Sequence, residues 1–314
     1  MSIRTILKTL VAFSLILIIS GVAIIVKNNK ELLNPVEDTY LLDEEDTGEY
    51  ISITKSDDNR KPIVPDDETI DKQLEEKKIP IIGNTNTDPN DNLRKQIENK
   101  YNISVKYGVE TDNYTISDLE AISLVDPNDI NKALNILNNN LANYPEDFFK
   151  EISNDGYTLT IYLIKKFNED NVTGVTDSTT KNVTILLTSD YELTESIHHE
   201  LYHYVENYMY SKGAKYTTWN NLNPSNFKYG TENSTLSYAI TKSTDAYFVN
   251  NYAQMTEEED RASTFEYMTS QTKYSCLDKG NKIWLKAKYI CDQIQAVFNC
   301  VSPDITEYWE RYVY

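Results

Sequence analysis

From residue 90 onward, apolar positions recur with periods that define elements. Asp91 to Tyr101 has helical spacing, and Ile103-Ser104-Val105-Lys106-Tyr107 alternates like a strand. Ile130, Ala133, Leu134, Ile136, Leu137 and Leu141 mark an amphipathic helix over 127–143. Tyr144-Pro145 stops it, because the residue before a proline is pushed out of the helical region. Leu159, Ile161 and Leu163 alternate within a strand from Tyr157 to Phe167. A second strand, Asn182 to Thr188, carries Val183, Ile185, Leu186 and Leu187. A helix over about 190–210 follows, with Leu193, Ile197, Leu201, Val205 and Met209 at every fourth position. Two more helices are expected near 257–272 and 281–299, and the Asn- and Tyr-rich stretch 213–250 reads as loops with one or two helices. The pattern predicts an α+β domain, mostly helical, with a small β-sheet placed before the helix of 190–210.

The first 89 residues differ. Leu10 to Val26 carries no charge and follows Arg4 and Lys8. That run is at the short edge of a membrane span and longer than a usual signal-peptide core. We read 1–27 as an uncleaved signal anchor, a single transmembrane segment, with a cleaved signal at Gly21-Val22-Ala23 as the alternative. Basic residues before the run place the N-terminus inside, which puts the body of the protein outside the cell. Under the alternative the protein is secreted. Residues 28–89 form an acidic linker. Glu31 to Tyr50 holds eight acids and no Lys or Arg, and prolines are scattered through the rest. Such a segment buries too little surface to offset its ordering entropy. The domain proper is therefore 90–314.

Charge narrows the partners. The net charge of −19 argues against nucleic acid, whose phosphates need a basic stripe. The three cysteines, Cys276, Cys291 and Cys300, are too few for a disulfide scaffold. They allow one bridge, Cys276 with Cys300, or three free thiols.

The chain has only three histidines, and all lie between 198 and 203, in His198-His199-Glu200-Leu201-Tyr202-His203. Residues four apart on a helix share a face, so His199 and His203 can reach one metal ion. Glu200 lies about 100° round the helix from His199 and can reach a water beside the metal without ligating it. Two histidine ligands with a glutamate general base are the arrangement of zinc peptidases with the His-Glu-x-x-His motif. Ile197 stands two positions before His199, so the apolar stripe lies about 200° from the histidines. One face would enter the core and the other would face the metal. His198 points elsewhere and is expected beside the site or exposed.

Catalytic zinc commonly takes three protein ligands. Without another histidine, the third is Asp, Glu or Cys. The richest region is Glu257-Glu258-Glu259-Asp260 after Thr256, with Glu266 beyond it. Thr256-x-x-Glu259 is also a capping box, which uses the glutamate for backbone hydrogen bonding.

With its later motifs included, the sequence resembles a known family. His199-Glu200-x-x-His203, then Tyr252 seven residues before Glu259, then Glu259-Asp260-x-Ala262-x-x-Phe265, resemble the catalytic domain of anthrax toxin lethal factor. They are also similar to the related secreted Pro-Pro endopeptidases, which are Glu-ligated zincins. Tyr289 to Ile294 fits the last helix of that domain, so the resemblance covers about 90–314. It implies a zincin-type fold, Glu259 as third zinc ligand, one zinc per chain, and Tyr252 as a phenol that assists opposite Glu200. Ser263 stands where the lethal-factor pattern has an acid, which turns attention to Glu266 as a support for the ligands.

The expected function is a zinc metalloendopeptidase acting on peptide or protein substrates at the cell surface. Its rivals are a non-catalytic binding or sensor module on the same fold, and a released, toxin-like effector protease. The stretch 213–250 is expected to form part of the substrate wall.

Overall fold

The computed structural model describes residues 88–112, 114–116, 119–169, 172–179, 181–189, 193–230, 246–269 and 275–314. The expected anchor, and the linker up to residue 87, lie outside them. No helix among the described residues is long and apolar enough to cross a membrane.

The fold is α+β, with a mixed sheet that precedes the histidine helix. Helix α1 (Pro89–Tyr101) leads into β1 (Ser104–Lys106), β2 (Thr115–Ile116) and β3 (Leu119–Ser123). Helices α2 (Pro127–Leu141) and α3 (Phe148–Asn154) follow, then β4 (Thr158–Phe167), β5 (Gly174–Thr179) and β6 (Asn182–Thr188). Helices α4 (Leu193–Ser211), α5 (Glu257–Thr269) and α6 (Lys282–Val297) complete it. Helices α1 and α2 start alike. In each an aspartate, Asp88 or Asp126, accepts hydrogen bonds from the first free N–H groups, and a proline fills the first helical position. Asn102 closes α1 in the left-handed region, at φ 55°, a conformation asparagine tolerates.

The sheet order is β2-β3-β4-β6-β5, with β1 also paired to β4. Strand β4 runs parallel to β6, from Thr158 opposite Asn182 to Ile164 opposite Thr188. Along its other edge, β1 pairs with 160–162 and β3 with 164–167. Strand β5 is antiparallel to β6 and, among the described residues, pairs with nothing else.

The two central strands are buried on both sides. Leu159, Ile161, Leu163, Val183, Ile185 and Leu187 point to the helical side and are all buried. Ile164 and Leu186 point the other way, into a separate cluster with Ala121 and Phe167, covered by Tyr162 and Val175. Helix α4 lies on the helical side, where Leu193, Ile197, Leu201, Val205 and Met209 are buried as the four-residue stripe predicts. An aromatic cluster lies beneath α4 and α5, where Tyr144, Phe148 and Phe265 meet Trp309 from the C-terminal turn.

The strand over 182–188 and the helices starting near 190, 257 and 281 are where the periodicity puts them, within a few residues. Strand β5 and helix α3 carry no such pattern. Cys276, Cys291 and Cys300 are not joined in disulfides, and Cys291 is buried in α6.

Candidate metal centre

The histidine face of α4 opens into a cleft of about 450 Å³. His199, Glu200 and His203 lie along one wall, with Gly174 and Thr176 of β5 above them and Glu259 of α5 opposite. Tyr252 comes in from a short 3-10 turn, Tyr252–Gln254, just before α5. The residues predicted from sequence, His199, Glu200, His203, Tyr252 and Glu259, all meet in this one cleft.

Thr256 and Glu259 resolve the capping alternative in an unexpected way. The Thr256 hydroxyl accepts a hydrogen bond from the Glu259 backbone N–H at 3.1 Å, which is one half of a capping box. The Glu259 side chain does not complete the box. It turns into the cleft, where its Oε2 lies 2.9 Å from His199 Nε2 and 3.6 Å from His203 Nε2. One residue thus takes a capped backbone position and presents a carboxylate to two imidazoles.

His199, His203 and Glu259 each offer one donor atom, all within 4.8 Å of one another. Among the described residues they are the one group of three or more His, Cys, Asp or Glu donors that close. Bond lengths of about 2.0–2.2 Å bring such a set round a single ion after small side-chain shifts.

The hydrogen bonding of His199 tests the fit. Its Nε2 faces Glu259, and its Nδ1 lies 3.1 Å from Glu266 Oε2. A neutral imidazole has one N–H and cannot donate to both carboxylates. Either the ring carries a second proton, or a cation takes the place of that proton between Nε2 and Glu259. The donor set suits zinc, which accepts imidazole nitrogen and carboxylate oxygen. Glu266 then fixes the tautomer, as a carboxylate behind a metal-bound histidine does. Burial opposes charge on His199, yet the Glu259 and Glu266 carboxylates raise its pKa to about 10. Burial likewise opposes charge on Glu259, but the His199 and His203 imidazoles beside it hold its carboxyl well below the usual range.

Glu200 stays out of the ligand group. It is buried, and burial raises its pKa, against the pull of His199, His203 and a hydrogen bond from Thr176. Tyr252 remains 54% exposed, with its ring 6.0 Å from that of His199. Burial of the phenol, then the adjacent Glu259 carboxylate, raises its pKa, so it stays a hydrogen-bond donor.

Two expectations change. His198 is neither beside the metal group nor exposed. It is buried on the core side of α4, with Nδ1 3.0 Å from Tyr144 OH and Nε2 3.0 Å from Asn140 Oδ1. Burial, with a lesser effect from Arg311, lowers its pKa to about 3 and keeps it neutral. Its offset of one residue from His199 turns it toward α2, and burial selects the uncharged ring. Secondly, the described part of 213–250 contributes no residue to the cleft lining. Trp219 and Tyr229 instead donate to Asp260 in the core, at 3.0 Å and 2.7 Å. Strand β5, which carries almost no apolar pattern, also forms a wall of the cleft.

The buried partners of α5 are also new. Arg261 is fully buried and donates to Glu206 of α4, one turn beyond His203. Asp260 accepts from Lys286 of α6 at 2.7 Å. A buried charge is tolerated only when paired, and in sequence Asp260-Arg261 follows three further acids of the same turn, so no local pattern sets the pair apart.

Comparisons with known proteins yield no match to any family model, to any curated protein or to any solved structure.

Proposed function

We propose that this protein is a zinc-dependent endopeptidase. The observation that carries the reading is the relation of Glu200 to its neighbours. It lies in the same cleft as His199, His203 and Glu259, one residue from a ligand, and does not join them. A site meant only to hold a metal has no need of a further, buried carboxylate outside the donor group.

His199, His203 and Glu259 would hold the zinc. When bound, zinc supplies Lewis acidity, which activates water and polarises a carbonyl. Glu200 accepts the proton of the attacking water and passes it to the leaving amine, and its burial raises its basicity for the task. Tyr252, protonated and at the mouth of the cleft, donates a hydrogen bond to the developing oxyanion. Glu266 holds the His199 ring in orientation. Glu259 as the third donor accords with the resemblance of the sequence to the Glu-ligated zincins. The proposal keeps the 1–27 anchor and an extracellular domain, on the sequence pattern alone.

The test is zinc analysis of the full chain together with peptide-library cleavage, run beside Glu200→Gln. We expect one zinc per chain in both proteins, and a loss of about 10²–10⁴-fold in turnover for Glu200→Gln. Turnover near wild type in that variant overturns the assignment.

A further inference from the structure

We infer that Thr176 and Gly174 of β5 are positioning residues that fix the Glu200 carboxylate in its working rotamer. The inference rests on the reading of Glu200 as general base.

Alternate residues of a strand share a face, and 174 and 176 both turn toward α4. They meet the same carboxylate in two ways. Thr176 Oγ1 lies 2.5 Å from Glu200 Oε2 and 3.3 Å from the Glu200 carbonyl oxygen. A hydroxyl has one proton, and the short contact to the carboxylate is the charge-assisted one. Gly174 supplies space. A Cβ there would stand 2.7 Å from Glu200 Oε1 and 2.8 Å from its Cγ, inside contact distance. The backbone does not call for glycine at this point, because Gly174 is not among the residues with positive φ. Room for the glutamate is what calls for it.

A glutamate has three side-chain torsions and can swing toward a cation and become a ligand. Thr176 holds one oxygen by a hydrogen bond and leaves the other lone pairs free to take a proton from water. Gly174 lets the side chain lie flat against the strand. The proton balance is simple: Glu200 takes one proton from water and returns it to the amine, and Thr176 keeps its own throughout. Misplacing a catalytic group by about 1 Å can cost on the order of 10²-fold in rate.

The experiment compares Thr176→Val, Thr176→Ser and Gly174→Ala in the full chain, with and without Glu200→Gln. We expect Thr176→Val to lower kcat by about 10- to 100-fold, with KM and zinc content close to wild type. Thr176→Ser should recover most of the rate. In the Glu200→Gln background, Thr176→Val should have no further effect. A crystal structure of Gly174→Ala should show Glu200 displaced. Full kcat in Thr176→Val, failure of Thr176→Ser to rescue, or an equal loss in the Glu200→Gln background overturns the inference. An active Glu200→Gln protein overturns the general-base reading instead, so the two failures are distinguishable. If Gly174→Ala does not fold, the Thr176 pair still decides the matter.

Discussion

Glu266 meets His199 from behind. Its Oε2 stands 3.1 Å from Nδ1, while Nε2 of the same ring faces Glu259. The ring is thus oriented by one carboxylate and shared with another. Glu266→Gln keeps an oxygen but removes the charge that makes the ring a better donor. We expect zinc affinity to fall about 10- to 100-fold, measured by competition with a chromogenic chelator. Glu259→Gln should abolish tight binding in the same assay.

His198 and His199 are adjacent in sequence and opposite in surroundings. His198→Ala removes a buried ring bonded to Tyr144 and Asn140. Leaving such groups unsatisfied costs about 1–3 kcal/mol each. It should lower the denaturation midpoint and leave zinc stoichiometry at one. His199→Ala should instead abolish zinc binding. Equal zinc loss in both variants would count against the division of roles.

The Glu206–Arg261 pair joins α4 to α5, the two helices that carry the candidate ligands. Arg261 also donates to Tyr210 OH at 2.7 Å and stacks over Tyr216. Glu206→Gln removes the buried carboxylate and leaves the guanidinium only the more exposed Glu257 and Glu258, at 3.5 Å and 3.6 Å, and breaking a buried pair costs up to about 3–5 kcal/mol. Urea denaturation should show that loss. The double variant Glu206→Leu/Arg261→Met should be less destabilised than the sum of the single changes, because no charge is then stranded.

Cys300 lies beside the Glu151 carboxylate. Burial first, and then that carboxylate, push its thiol up to about 12. The thiolate is the reactive form, and a raised pKa means little of it at pH 8. In the native protein, alkylation of Cys300 by iodoacetamide should be slow at pH 8 and still rising above pH 9. Glu151→Gln should speed it at pH 8 by lowering the pKa. Mass spectrometry of timed samples checks both. A rate that levels off near pH 9 in the native protein would contradict the shift.

Much of this domain was legible because its main elements bury one face. Helix α4 announced itself through Leu193, Ile197, Leu201, Val205 and Met209, and the same helix geometry placed His199 and His203 together. Glu259 was harder, because a capped helix start and a metal ligand need the same residue in sequence. Only the direction of its side chain separates them. Strand β5 was missed for a physical reason. Gly174-Val175-Thr176-Asp177-Ser178-Thr179 has one apolar residue, since its cleft face meets Glu200 through a hydroxyl and an absent side chain. The direction of His198 depended on knowing that α2 and Tyr144 pack against that side of α4, which no local pattern encodes.

Glu259, Asp260 and Arg261 occupy one turn of α5 and reach three points on two helices: the histidines of α4, Lys286 of α6, and Glu206 of α4 one turn further on. A turn tied at three points behaves like a tripod, which resists tilt, roll and slide together. The donors would then be gathered by the folding of the chain, not by the arrival of the ion. Metal capture by such a site needs little conformational search, and the stiffness that makes it quick to load also leaves the carboxylate no easy way to retreat.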